Sequence, residues 1–203
     1  MIRPDLTHCE TLEQFYKEIS EKQALAHGRE YIAHHEALRT CIQDEDVNMV
    51  KELGVCQGGT LAAMMLSNPY QLTGYDIQPD YYEPYAHLFE EYAKKQGIVY
   101  NYVVQSSIDK GSVSNCDLLH IDSLHVPNHL MNELRLHAPY VKKYIVFHDT
   151  ANYGSNSGIL RTIVDYITEV EQSWTIIDHY THSVGYTVIK REERIPVEYN
   201  DIK

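Results

Sequence analysis

Two segments of the sequence place carboxylates beside histidines. One reads HIDSLH and contains Asp122 and His125; the other reads IVFHDT and contains His148 and Asp149. Carboxylate oxygens and imidazole nitrogens are ligands of divalent cations such as Mg²⁺ and Mn²⁺. An imidazole also titrates near neutral pH, so it can take a proton from a hydroxyl group. The residue types therefore indicate metal binding or acid–base chemistry.

Both segments are predicted to end strands that are neighbours in one parallel sheet. Adjacent strands lie about 4.8 Å apart, so Asp122 is expected to lie near His148 and Asp149. We predict a metal site made of these three residues, with Asp122 and His125 as the catalytic pair. Two alternatives stay open: the aspartates cap the strand ends and the histidines are merely polar, or His148 hydrogen-bonds a ligating carboxylate instead of binding the metal.

A glycine-containing turn follows the first predicted strand. From Glu52 the sequence reads ELGVCQGGT, so that Gly54 and Gly58 allow a tight bend and a close approach to a ligand. Asp76 ends the second predicted strand, where a carboxylate can accept both ribose hydroxyls of a nucleoside. Cysteine replaces the second glycine of the dinucleotide fingerprint GxGxxG, which argues against an NAD site. The alternative is an ordinary strand-to-helix turn with a capping aspartate.

The segment that starts at Glu52 resembles motif I of class I methyltransferases, (D/E)xGxxxG. The resemblance implies that S-adenosylmethionine is the cofactor and that Glu52, Gly54, Gly58 and Asp76 contact it. Ser107 follows the third predicted strand, where such enzymes often place residues beside the adenine. It either contacts the adenine or caps a turn.

Five stretches, one of which contains the segment that starts at Glu52, resemble the metal-dependent sugar and small-molecule O-methyltransferases of this fold, which include the macrolide-sugar and cephalosporin-hydroxylase-like groups. The stretches are residues 50–60, 118–125, 138–142, 144–150 and 159–169. A virus-encoded rhamnose methyltransferase domain is considered as a closer relative. In this family an aspartate ending strand four and a pair ending strand five hold the metal, which implies that role for Asp122 and for His148-Asp149. Some members place a catalytic histidine three residues after the first aspartate, which corresponds to His125.

The sequence departs from that family at three positions. Ser123 stands where the family usually has glycine in a DGxH pattern, and Cys56 replaces a small residue. His148 is a less typical first member of its pair, which leaves the number of ligands open.

Short apolar runs alternate with helical patterns after residue 48 and must position these side chains. The alternation predicts an α/β fold with a mostly parallel sheet, and right-handed crossovers make it doubly wound. With the resemblance, we expect a Rossmann-like class I methyltransferase sheet of seven strands in the order 3-2-1-4-5-7-6, with strand 7 antiparallel and helices on both faces. Residues 1–45 are expected to form a helical segment on the cofactor cleft, and 46–203 the α/β domain. One of the predicted helices spans 80–96.

The composition excludes several classes of protein. A net charge of -12 and a pI of about 5.4 argue against a nucleic-acid surface. A mean hydropathy of -0.40 and the lack of long apolar runs argue against a membrane span. The four cysteines form no CxxC pair, so a zinc ribbon is not expected. Without a secretory signal, we expect a cytoplasmic protein, in the host cytoplasm if it is virus-encoded.

We therefore expect a metal-dependent enzyme that methylates a hydroxyl of a sugar, either a small molecule or a glycan. The polar loop Tyr153–Gly158 either covers this acceptor or is an ordinary connection. A nucleoside-binding module without turnover and an NAD-dependent oxidoreductase are the alternatives, and a homodimer is considered.

Overall fold

The computed structural model describes residues 3–151, 158–170 and 173–192. The strands in these ranges are β1 (Met49–Leu53), β2 (Gln71–Asp76), β3 (Val99–Val104), β4 (Cys116–Ile121), β5 (Val141–His148), β6 (Trp174–Tyr180) and β7 (Tyr186–Arg191). The helices are α1 (Leu12–His27), α2 (Ala33–Ile42), α3 (Gly59–Met65), α4 (Ala86–Gln96), α5 (Pro127–His137) and α6 (Ile159–Glu169). Short 3₁₀ turns lie at Arg29–Ile32, Pro79–Tyr81, Glu83–Tyr85, Lys110–Ser112 and Ala138–Tyr140.

The seven strands form one sheet in the order β3-β2-β1-β4-β5-β7-β6, which confirms the predicted order. The first five strands of that order pair in parallel, whereas β7 is antiparallel to both β5 and β6. In the register of this sheet Ile121 faces both Leu53 and Phe147. The residues that follow these three therefore meet at the carboxyl edge of the sheet, where ligands bind in open α/β folds.

Helices cover both faces of the sheet, as predicted. Residues of α1, α2, α3 and α4 pack with Val50, Leu118 and Val146 in one apolar cluster. Residues of α5 and α6 pack with Leu119 and Ile145 in a second cluster. Neighbouring residues such as Leu118 and Leu119 point to opposite faces, as the two-residue period of a strand requires. Both faces of the central strands are therefore buried.

The helix predicted over 80–96 is shorter than expected. Two 3₁₀ turns precede it, and the α-helix begins at Ala86. Pro84 explains the difference, because proline lacks the backbone N–H and disfavours a helical conformation at the preceding residue. The prediction that one continuous helix starts near Asp80 is therefore wrong. Within the parts of the chain that the structure describes, no helix is long and apolar enough to cross a membrane.

An ion pair links the turn after α2 to β5 and gives a test of stability against pH. Lys143 donates to Asp44 at 2.5 Å and to Asp46 at 2.8 Å, while the Tyr144 hydroxyl donates to Asp44 at 2.9 Å. The hydrogen bond from Lys143 lowers the pKa of Asp44 to about 2. Because the pKa of Asp44 is lower in the folded than in the unfolded protein, its ionised carboxylate stabilises the folded state at pH values above the ordinary pKa of 3.8. This contribution is lost as the pH falls toward 2.

We expect Asp44→Asn to lower the free energy of unfolding by about 1 kcal/mol at pH 7, after allowance for solvent screening of a partly exposed pair. Near pH 2 the variant and the parent should unfold at the same urea concentration. Urea titrations at both pH values measure this. An equal difference at the two pH values would contradict the assignment.

Candidate functional site

A cavity of about 360 Å³ opens at the carboxyl edge of the sheet, beyond β1, β2, β3 and β4. Five of the residues selected from the sequence line it: Gly54, Asp76, Ser107, Asp122 and His125. The volume lies within the range of small-molecule sites. The strand order thus brings together residues that are far apart in the chain.

Gly54 lies where β1 passes closest to the end of β4. Its φ is +89°, and a Cβ atom there would lie 2.3 Å from the carbonyl oxygen of Asp122. Both the left-handed backbone and the close approach require glycine. This residue therefore allows Asp122 to stand beside the glycine turn.

Asp76 at the end of β2 holds the glycine turn in place. Its Oδ2 accepts hydrogen bonds from the backbone N–H groups of Val55 (2.9 Å) and Cys56 (2.7 Å), and its Oδ1 accepts one from Gln78 (2.8 Å). A carboxylate oxygen can accept about two such bonds, so Oδ1 retains capacity for a ligand hydroxyl. The carboxylate both shapes the turn and faces the cavity.

Two other predicted cofactor residues do not line this cavity. Glu52 is fully buried, with its Oε1 3.0 Å from Nδ1 of His120. Burial raises the pKa of Glu52 well above its usual range and lowers the pKa of His120 to about 4, which disfavours the charged form of both side chains. Gly58 has a φ of +90° before α3, and a Cβ there would lie 3.0 Å from the Phe89 ring. Cofactor contact by Glu52 and Gly58 stays a prediction.

Ser107 lies at the cavity wall and is mostly buried. Its hydroxyl is 3.2 Å from Nε2 of His129, which also lines the cavity. Both sequence interpretations of Ser107 are therefore still open.

The three predicted metal ligands converge at the ends of β4 and β5. One ligand atom from each of Asp122, His148 and Asp149 lies within 4.8 Å of the other two. His148 Nδ1 is 3.0 Å from Oδ1 of Asp122 and 3.6 Å from Oδ1 of Asp149. Two carboxylates and one imidazole are a donor set that suits a hard or borderline divalent cation.

His125 lies between the two carboxylates. Its Nε2 is 3.0 Å from Oδ1 of Asp122, and its Nδ1 is 2.6 Å from Oδ2 of Asp149. Burial lowers the pKa of His125, but the hydrogen bonds to Asp122 and Asp149 outweigh it and raise the pKa to about 10. The imidazole is therefore charged in this arrangement, and both ring nitrogens donate.

His148 and His125 keep Asp122 ionised although its side chain is largely buried. Burial would raise its pKa, but His148 and His125 hold the pKa of this carboxyl well below its usual range. Burial lowers the pKa of His148, but Asp122 outweighs that and leaves the pKa above its ordinary value. The carboxylates and imidazoles of the cluster thus favour one another's charged forms.

The backbone at two positions beside the cavity is left-handed without glycine. Asp149 has a φ of +56° and Cys56 a φ of +51°. Such conformations are uncommon outside glycine and concentrate at functional sites. Aspartate tolerates this region better than most residues, which lets the chain turn sharply after β5 and direct the Asp149 carboxylate back toward Asp122.

The sequence analysis missed the contribution of the N-terminal histidines. The His34 ring, on α2, lies 4.1 Å from the ring of His148 and 4.3 Å from that of His35, measured between centroids. Tyr31 meets His148 edge-on at 5.7 Å. Burial lowers the pKa of His34 well below its usual range and that of His35 to about 3, so both are neutral.

The His34 ring packs against His148 and restricts its orientation, and His35 packs against His34. The sequence shows His34 and His35 side by side, and this pair was the signal that could have been noticed. The direction of the two side chains, however, depends on how α2 packs on the sheet. The predicted division into a helical segment on the cofactor cleft, residues 1–45, and an α/β domain, residues 46–203, within one compact unit stays a prediction. Of the loop Tyr153–Gly158, residues 153–157 lie outside the described ranges.

Solved structures of three methyltransferases are similar to this chain over most of their length. They are the ribosomal protein L11 methylase from Lactobacillus delbrueckii subsp. bulgaricus (14% identity, TM-score 0.59, covering 81% of this chain and 80% of that one), the O-methyltransferase from Bacillus cereus in complex with SAH (13%, 0.57, 95% and 93%), and the O-methyltransferase TomG from Streptomyces achromogenes in complex with SAM (13%, 0.53, 86% and 89%). A scan against protein-family models and a search of curated proteins find no match.

At these identities the likeness is one of fold. The chain has the Rossmann-like class I methyltransferase fold, with a carboxyl-edge cavity and an acidic, histidine-bearing cluster beside it.

Proposed function

We propose that this protein is an S-adenosylmethionine-dependent O-methyltransferase that acts on a sugar hydroxyl with the help of a divalent metal. The observation that carries the proposal is that the carboxyl-edge cavity lies against the candidate metal cluster. A nucleoside-sized cavity with Asp76 in its wall is also lined by Asp122 and by His125, which contacts both carboxylates of the metal cluster. A methyl donor and a hydroxyl acceptor need such a shared edge, because displacement at a methyl group requires the reactants in line and in contact.

The cofactor is supported by the fold and by the cavity. The similar structures from Bacillus cereus and Streptomyces achromogenes hold SAH and SAM. In this chain the free capacity of Asp76 Oδ1 suits a ribose hydroxyl, and Ser107 and His129 stand at the same end of the cavity. The broken dinucleotide fingerprint argues against the NAD-dependent alternative.

The residues present fit a divalent metal such as Mg²⁺ or Mn²⁺. Asp122, Asp149 and His148 would hold it, and the left-handed Asp149 backbone keeps its carboxylate directed toward Asp122. When bound, the metal would lower the pKa of the acceptor hydroxyl.

His125 is proposed to take the proton from the acceptor hydroxyl. Because both of its ring nitrogens contact carboxylates, the imidazole must first release one proton to solvent and give up that carboxylate contact. The freed nitrogen then accepts the proton of the acceptor hydroxyl. Asp122 keeps the ring at the cavity wall, within reach of an acceptor placed beside the methyl donor. The assignment of a sugar as acceptor rests on the resemblance of the sequence to sugar methyltransferases.

Thermal unfolding with S-adenosylhomocysteine, with and without Mn²⁺, tests the proposal, with NAD as the control ligand. At 100 times its dissociation constant a ligand stabilises by about 2.7 kcal/mol, which corresponds to roughly 5–10 °C for a domain of this size. We expect that shift with S-adenosylhomocysteine and none with NAD. A methyl-transfer assay over a set of sugars then separates an enzyme from a nucleoside-binding module.

Absence of any shift with S-adenosylhomocysteine would contradict the proposed cofactor. Binding of S-adenosylhomocysteine without transfer to any sugar hydroxyl, in the presence of Mn²⁺, would favour the binding module.

A further inference from the structure

The first described residues of the chain form a strap, residues 3–9, that is anchored beside the glycine turn. Leu6 is fully buried, and its backbone N–H donates to the Tyr85 hydroxyl at 3.3 Å. The Gln57 side chain donates to the Pro4 carbonyl at 2.6 Å and to the Tyr85 hydroxyl at 3.0 Å. Because Gln57 belongs to the glycine turn itself, the strap is fixed to the part of the fold that borders the cavity.

This anchoring brings Arg3 into the wall of the cavity. The guanidinium carbon lies 3.6 Å from the centroid of the Tyr81 ring, and the guanidinium hydrogen-bonds the Cys56 side chain. A guanidinium stacked on an aromatic ring keeps its N–H edge free to donate in the plane of the group. Among the described residues that line the cavity, no other lysine or arginine is present.

The two contacts of Arg3 place it over the glycine turn. Cys56 belongs to that turn, and its backbone N–H donates to Asp76 at 2.7 Å. Tyr81 lies in the 3₁₀ turn that follows β2. The α-carboxylate is the only anionic group of S-adenosylmethionine, so a guanidinium in this wall is its chemical match.

We propose that Arg3 binds the α-carboxylate of S-adenosylmethionine through charge-assisted hydrogen bonds. This inference rests on the proposed function and adds a cofactor-binding residue contributed by the strap. Without Arg3 the carboxylate would enter a cavity bordered by Asp76 and Asp122, in a protein of net charge -12. The histidines of this cavity, His125 and His129, already contact the carboxylates of Asp122 and Glu133. A planar guanidinium offers paired donors that match a carboxylate.

The test removes the carboxylate from the ligand and the guanidinium from the protein in turn. Isothermal titration calorimetry would compare S-adenosylhomocysteine with its decarboxylated form, S-adenosyl-3-thiopropylamine, on the parent protein and on Arg3→Gln. The full chain would carry any purification tag at its C-terminus, away from Arg3. Arg161→Gln is the matched control, because Arg161 is 85% exposed on α6 and pairs with Asp165 of the same helix.

We expect Arg3→Gln to weaken S-adenosylhomocysteine binding about tenfold or more, because a hydrogen bond to a charged group is lost. Binding of the decarboxylated ligand should change less than about twofold, and Arg161→Gln should leave both ligands unaffected. Arg3→Lys, which keeps the charge and loses the planar fork, should fall between the parent and Arg3→Gln.

Two results would overturn the inference while the proposed function stands: unchanged S-adenosylhomocysteine binding by Arg3→Gln, or an equal loss for both ligands, which would assign Arg3 to packing of the strap. If the parent protein itself fails to bind S-adenosylhomocysteine, the proposed function fails and the inference fails with it.

Discussion

Replacing Asp122 by asparagine is expected to lower methyl transfer by about a thousandfold and to remove the response of the protein to Mn²⁺. The substitution keeps the shape of the side chain and removes its charge. Asp122 is the residue that the cavity and the cluster share: it contacts both His125 and His148 at 3.0 Å. Loss of this carboxylate therefore weakens the metal site and frees the imidazole at the same time.

The same variant should bind S-adenosylhomocysteine nearly as well as the parent, because Asp76 and the glycine turn are unchanged. Calorimetry measures this binding, and initial rates over a series of Mn²⁺ concentrations measure the response. Asp80→Asn is the control, since Asp80 is exposed near the same edge and does not line the cavity. A wild-type response of Asp122→Asn to Mn²⁺ would show that the metal site has been misplaced.

The sequence was sufficient for the sheet and for the cluster because both follow from strand order. Alternating apolar runs and helices allow few topologies, and parallel strands bring their last residues to one edge. Ile121 of β4 pairs with Phe147 of β5, and Asp122 and His148 are the next residues along the two strands. The register therefore brings Asp122 close to His148. No side-chain information was needed for that prediction.

The parts that the sequence could not supply depend on tertiary packing. Glu52 belongs to the motif that resembles a cofactor loop, yet its side chain lies in the core against His120. The alternation of residues along a strand predicts on which face of the sheet a side chain lies. It does not predict which other side chain it contacts there. Likewise, the packing of His34 against His148 and the placement of Arg3 depend on how α2 and the strap dock, and no local pattern encodes this.

Gly54→Ala is expected to lower the free energy of unfolding by about 2–5 kcal/mol. A left-handed backbone costs an L-residue about 1–2 kcal/mol, and overpacking of a close contact adds about 1–3 kcal/mol. The added Cβ would lie 2.3 Å from the Asp122 carbonyl oxygen and 2.7 Å from the Cα of Ser123, both backbone atoms that cannot rotate away. The ends of β1 and β4 must therefore separate, which also displaces Asp122 from the cavity wall.

Gly97→Ala separates the two contributions to this loss. Gly97 has a φ of +74°, but a Cβ there would have no atom within 4 Å, so only the backbone strain of about 1–2 kcal/mol is expected. Urea unfolding of both variants measures the difference, and calorimetry with S-adenosylhomocysteine should detect weaker binding for Gly54→Ala alone. Equal destabilisation by the two substitutions would mean that β1 and β4 do not approach as closely as the site requires.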